Sequence, residues 1–270
     1  MSEKLSWLHQ FAPKSFGEKQ LILPDEERSQ FQEIAEGRTG ENLLLAGTAG
    51  CGKSSIARLL MKNAVTHTII DCPQYKADKH WQTGGYGWQM MAGSGNALQQ
   101  FTYTKKELRN LKINRIVVLE EFDEIGNQAV FKTLLDENSS RGGLCVLTTN
   151  KIGEINEAIR SRCSEYIFGR SSELWMLGEN EKPAGCREQI TRDLQLLMYR
   201  VLKTEVKMKF RKSGELESDN VILFFKHLIQ QNYPSIRECL LAVRKYVRKG
   251  ELKIPARLLK PLVEDEKVLL

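Results

Sequence analysis

A chain of 270 residues with 41% apolar residues, 27% charged residues and only seven prolines has the composition of a folded globular protein and is long enough for two domains. Its longest apolar runs, such as 43–46 and 116–119, are far too short to cross a bilayer, and its six cysteines show neither a C-x-x-C pair nor a histidine at metal-ligand spacing. Membrane-spanning helices, a disulfide framework and a zinc site are thereby set aside. The net charge of +6 is unevenly held, because residues 200–260 contain 15 Lys/Arg against 6 Asp/Glu. A basic C-terminal third suits a polyanionic partner, and equally suits solvated helix faces.

The N-terminus, Met1-Ser2-Glu3-Lys4, lacks the basic-then-apolar pattern of a secretory signal, so the expected compartment is the cytoplasm, or the host cytoplasm if the protein is viral. The first clear element is a strand at 42–46, which enters a glycine-rich loop. A helix follows over 54–64, with Ile56, Leu59, Leu60 and Ala64 at helical spacing. Short apolar runs at 67–70, 116–119, 144–148 and 166–168 then alternate with helical stretches near 126–137 and 154–162. Fully apolar strands alternating with helices predict an α/β fold: a five-stranded parallel sheet flanked by helices. Between His80 and Thr104 lie five glycines interleaved with Trp81, Tyr86, Trp88, Phe101 and Tyr103, a long loop of the kind that carries function. Beyond Gly169 the strand-like runs stop, and helices are predicted over 187–201, 219–231 and 235–247, the last entered through Pro234 and Ser235. The predicted organisation is a core over 1–170, a small all-helical domain over 171–250 and a tail over 251–270.

The loop reads Gly47-Thr48-Ala49-Gly50-Cys51-Gly52-Lys53-Ser54, followed by Ser55. G-x-x-x-x-G-K-[S/T] binds phosphate because glycines let the backbone turn successive N–H groups inward, at a helix N-terminus that favours negative charge. Lys53 supplies a positive charge to the terminal phosphates of ATP, and the Ser54 hydroxyl is placed to ligate Mg²⁺. The 116–119 strand leads into Glu120-Glu121-Phe122-Asp123-Glu124, a Walker-B-type element at the carboxyl end of a parallel strand, where α/β ligands bind. Glu120 is expected to serve the Mg²⁺ shell and Glu121 to orient or deprotonate the attacking water.

Several motifs together resemble the AAA+ superfamily, and within it the clamp-loader ATPase subunits of phage, archaeal and eukaryotic replication, over roughly residues 5–250. The segment Trp7…Phe11-Ala12-Pro13…Leu21-Ile22-Leu23-Pro24 is similar to the family's adenine-side segment, with Ala12 where an arginine is usual, and implies Phe11 and Pro13 beside the base. Leu147-Thr148-Thr149-Asn150 resembles the sensor 1 strand and implies that Asn150 feels the γ-phosphate or positions the water. Ser161-Arg162-Cys163 resembles the S-R-C motif and implies that Arg162 completes a neighbouring subunit's site in trans. Asn232-Tyr233-Pro234-Ser235-Ile236-Arg237 resembles the entry to the family's lid helix, with Arg237 as sensor 2.

The resemblance implies an oligomeric, DNA-stimulated ATPase whose partners are other AAA+ subunits, a sliding clamp and primer–template DNA. Lys76, Lys79, Lys105, Lys106 and Arg109 are the cations expected to contact DNA phosphates, which need charge and no base reading. Two departures stand out: Glu120 replaces the usual Asp, and no collar domain is expected in the residues after the lid. Two alternatives accompany clamp loading. One is a helicase loader or other DNA-remodelling ATPase; the other is a nucleotide-binding scaffold that does not hydrolyse.

Overall fold

The computed structural model describes residues 10–18, 20–38, 41–75, 113–140, 142–168, 186–205 and 219–259. The chain divides into two compact units, one of residues 13–170 and one of residues 1–12 with 171–270.

The first unit is built on five parallel strands: β1 (Asn42–Gly47), β2 (Ala64–Asp71), β3 (Ile113–Glu120), β4 (Gly143–Thr149) and β5 (Cys163–Phe168). All pair in parallel, as expected, in the spatial order β2-β3-β4-β1-β5. Alternate residues of each strand feed opposite layers. Leu43, Leu45, Val118 and Val146 pack under α1 (Asp25–Ala35) and α2 (Lys53–Met61), while Leu44, Val117, Leu119 and Leu147 pack toward α3 (Lys132–Ser140). Phe31 of α1 is fully buried, with ring centroids 4.6 Å from Tyr166 and 6.1 Å from Phe168. Arg28, one turn earlier on α1, donates to the carbonyls of Leu21 and Leu23 at 3.1 and 3.0 Å and so ties the preceding segment to that helix.

Three boundaries differ from the sequence expectation. Ala64, expected to end a helix, instead opens β2 fully buried, because α2 stops at Met61 and turns through Lys62 and Asn63. The stretch expected as a helix over 126–137 starts as a 3-10 turn, Gln128–Phe131, before α3 begins. The helix expected over 154–162 shrinks to one α-turn, α4 (Glu157–Arg160), whose start is set by the Asn156 side chain accepting the Ala158 N–H at 2.9 Å.

In the second unit, α5 (Cys186–Glu205), α6 (Asp219–Asn232) and α7 (Ile236–Lys245) bury Leu194, Met198, Phe224, Phe225, Leu228 and Val243. Ser235 caps α7, its hydroxyl accepting the Glu238 N–H at 3.2 Å. The helical character expected of this region is present, and a short antiparallel hairpin, β6 (Val247–Arg248) with β7 (Glu251–Leu252), follows α7. Lys249 and Gly250 both take positive φ, 53° and 77°, which is the backbone a two-residue hairpin turn demands.

Candidate functional site

The order β3-β4-β1 sets three strand ends side by side at the carboxyl edge of the sheet. The glycine-rich loop leaves β1, the acidic segment leaves β3 and Asn150 leaves β4. Carboxyl ends near a change of strand order are where open α/β sheets bind ligands.

Gly47, Gly50 and Gly52 of the loop all take positive φ. Gly47 has φ +147°, and a Cβ there would meet the Phe168 carbonyl oxygen at 2.5 Å. Gly52 precedes α2 with φ 108° and ψ 0°, a backbone open to glycine, and accepts the N–H of Ser55 and Ile56 at 2.9 and 3.1 Å. The Lys53 and Ser54 amides, at the first two positions of α2, lie ahead of the first intrahelical bonds, which makes this end a place for an anion. Ser54 and Ser55 lie half-buried there, and Thr48, Ala49 and Gly50 form the bend before it, with Cys51 buried beneath.

Lys53 is only 8% exposed. Its ammonium donates to the carbonyls of Gly47 (2.6 Å) and Thr48 (2.9 Å) and to Asn150 Oδ1 (3.0 Å). Burial pushes its pKa below the ordinary value, an effect opposed by Cys51, then Asp123, then Glu121. A desolvated cation beside amide donors is a strong electrostatic partner for phosphate oxygens.

Two backbone amides link the acidic segment to the tail of β4. Glu121 donates its N–H to the Thr148 hydroxyl at 3.1 Å, and Asn150 donates its N–H to Asp123 Oδ1 at 3.3 Å. Glu121 is exposed and adopts the left-handed conformation, φ 54° and ψ 49°. For a residue with a Cβ this costs about 1 to 2 kcal/mol. Glu120 ends β3 in register with Asp71 of β2. Asp123 lies within the acidic segment and Thr148 within the Leu147–Asn150 stretch, but neither motif gives them a role, and the juxtaposition of β3 and β4 brings them to the site. The oxygen donors of this edge suit Mg²⁺, with Ser54 and Glu120 as the chain's own candidate ligands. Among the described residues no cluster of three or more His, Cys, Asp or Glu could hold a metal.

Arg162 lies elsewhere. It precedes β5, whose first residue pairs with Asn42, the first residue of β1. Gly47 stands at the other end of β1, roughly 17 Å away along the strand. The Asn42 side chain fixes this corner, donating to the Leu135 and Arg162 carbonyls at 3.3 Å each and accepting the Cys145 N–H at 3.0 Å. Glu41, Asp136, Ser139, Ser161, Arg162 and Ser164 line a polar recess there.

Arg237 is exposed on the first turn of α7, in the second unit. The adenine-side segment divides between the units: Phe11, buried, goes with the C-terminal one, and Pro13, half-buried, with the core. Lys76, Lys79, Lys105, Lys106 and Arg109, with the glycine–aromatic stretch 81–103, lie outside the described residues. Cys72, Cys145, Cys163 and Cys239 are free thiols, each pushed up to about 12 by burial and so poor nucleophiles at neutral pH. No helix among the described residues is long and apolar enough to cross a membrane.

Residues 43–171 match the model of the ATPase family associated with various cellular activities, AAA. The sliding-clamp-loader large subunit of Escherichia phage RB69 is 24% identical over 250 residues, covering 90% of this chain and 64% of that protein. The chain thus spans a little under two thirds of that relative's length. Among solved structures, a variant of RuvB from Thermotoga maritima superposes with a TM-score of 0.51 at 13% identity, over 87% of this chain and 66% of that one, a likeness of fold alone.

Proposed function

We propose that this chain, an AAA-family ATPase by its residues 43–171 and a relative of a phage clamp-loader subunit, binds and hydrolyses ATP at subunit interfaces to load a sliding clamp onto primer–template DNA. The observation that supports it most is the convergence of Lys53, Asn150, Glu121 and Asp123 where β1, β4 and β3 end.

In this reading the loop from Gly47 to Ser55 cradles the phosphates, Lys53 balances their charge, and Ser54 and Glu120 would hold Mg²⁺, which would supply further charge neutralisation to the phosphates. Glu121 and Asn150 hold the attacking water. Its oxygen bonds to the γ-phosphorus, the bond to the β-phosphate oxygen breaks, ADP leaves, and Glu121 takes the water's proton. Arg162 acts on a neighbour's nucleotide, a role favoured by its place at the opposite end of β1 from its own loop. Arg237 reports nucleotide to the lid, Phe11 and Pro13 flank the adenine, and the Lys76–Arg109 group of cations meets DNA phosphates.

The test is the ATPase rate without DNA, with single-stranded DNA, with primed DNA, and with primed DNA plus a sliding clamp. Joint stimulation by primed DNA and clamp is the expected result. Stimulation by single-stranded DNA alone would instead mark a helicase loader or another DNA-remodelling ATPase. Tight ATP binding without turnover would mark a scaffold, the outcome that Glu120 in place of Asp favours.

A further inference from the structure

We infer that Thr148 and Asp123 are positioning residues for ATP hydrolysis, holding the Glu121 and Asn150 backbones through two crossed hydrogen bonds; this rests on the reading of Glu121 and Asn150 as the water-holding pair. The pattern is reciprocal. The segment after β3 gives the Glu121 N–H to a side chain of β4, and the residue after β4 gives the Asn150 N–H to a side chain of the segment after β3.

Each bond has a distinct task. Glu121 sits at the turn between β3 and the 3-10 segment Phe122–Glu124, in a left-handed conformation that its own side chain disfavours. The Thr148 hydroxyl that accepts its N–H belongs to a residue only 3% exposed, so water competes poorly for that acceptor and the bond selects this backbone over its alternatives. Asp123 accepts the Asn150 N–H in an exposed bond at 3.3 Å that fixes where the Asn150 backbone leaves β4, and Asn150 in turn accepts from Lys53. A connected path therefore runs from Asp123 through Asn150 to the phosphate-loop lysine. Asp123 also adds negative charge near Lys53, so its acceptor atom and its charge need separate tests.

Four variants of the full chain separate these tasks: Thr148→Val, Thr148→Ser, Asp123→Ala and Asp123→Asn, with Glu121→Gln and Asn150→Ala as references. Thr148→Val removes the hydroxyl at near-constant volume, and is expected to lower kcat about tenfold to a hundredfold with KM for ATP nearly unchanged. Thr148→Ser restores the acceptor and most of the rate. Amide hydrogen exchange gives a readout independent of turnover: the Glu121 N–H is protected in the parent and in Thr148→Ser, and unprotected in Thr148→Val. Asp123→Ala is expected to narrow the preference for ATP over ADP as Asn150→Ala does, whereas Asp123→Asn keeps an oxygen acceptor and retains the preference.

Equal rates and equal Glu121 protection in Thr148→Val and Thr148→Ser would overturn the Thr148 assignment. Equal nucleotide preference in Asp123→Ala and the parent would overturn that of Asp123. Hydrolysis at the parental rate by Glu121→Gln would overturn the reading beneath both, and it is recognisable without either variant.

Discussion

Arg162 is paired with Asp136 of its own chain, its Nε lying 3.0 and 3.1 Å from the two carboxylate oxygens, while Nη1 donates to the Ala158 carbonyl at 2.8 Å. These contacts orient the guanidinium and leave donors on Nη2 for an incoming anion. Asp136 is more than half exposed, so the pair contributes little to stability, well under about 1 kcal/mol. Arg162→Ala is therefore expected to leave thermal stability and ATP affinity unchanged, while lowering the assembled ATPase about a thousandfold. Asp136→Ala is expected to lower it about tenfold, through lost orientation. ATPase rate against protein concentration checks both, and rates equal to the parent for Arg162→Ala at every concentration would remove the shared-site mechanism.

Gly47→Ala tests the loop's backbone. A methyl group there meets the Phe168 carbonyl oxygen at 2.5 Å, and φ +147° is itself unfavourable for alanine. A loss of roughly 2 kcal/mol or more in urea denaturation is expected, with loss of ATP binding. Gly126→Ala is the control, since a Cβ there meets nothing within 4 Å and its φ lies outside the left-handed region. Similar losses in both would mean that the loop is not specially constrained.

Much of this site is legible in residue order alone, because glycine spacing, an adjacent lysine and an apolar strand ending in acids each act locally. Lys53 and the strands behind it belong to that class. The Thr148–Glu121 bond does not: it joins residues 27 positions apart, and depends on β3 lying beside β4, a fact of sheet order. The Asn42 bonds that fix the Arg162 corner reach across 93 and 120 positions, and are equally invisible to periodicity. Ala64 stands at helical spacing from Leu60, but its burial and pairing against β3 outweigh that weak preference.

Lys53 also predicts a pH dependence. Burial lowers its folded-state pKa below the unfolded value of 10.5, so between the two the unfolded chain binds more protons. Stability from this group consequently rises as pH climbs through that window, and its penalty is fully present below the folded-state value. Urea denaturation of the parent and of Lys53→Met at several pH values from neutral to about 10 isolates the term by difference. The parent should gain on the variant as pH rises. A constant or shrinking difference would mean that the ammonium is adequately solvated by Gly47, Thr48 and Asn150.

Glu121 joins an exposed carboxylate to a left-handed backbone, an arrangement with no folding advantage of its own. Glycine occupies that conformation without strain, though it gives up some unfolded-state entropy, so Glu121→Gly is expected to be neutral or stabilising by up to about 1 kcal/mol. Glu121→Val, branched at Cβ, should instead lose at least about 1 kcal/mol. Both should lose ATP hydrolysis while still binding ATP. Denaturant midpoints and turnover measured on the same two variants give the comparison. A stable, inactive Glu121→Gly beside a destabilised, inactive Glu121→Val would mean that the strain is retained for chemistry, since folding alone would select the glycine. A Glu121→Gly chain as unstable as Glu121→Val would instead assign the carboxylate a structural contact that outweighs its backbone cost.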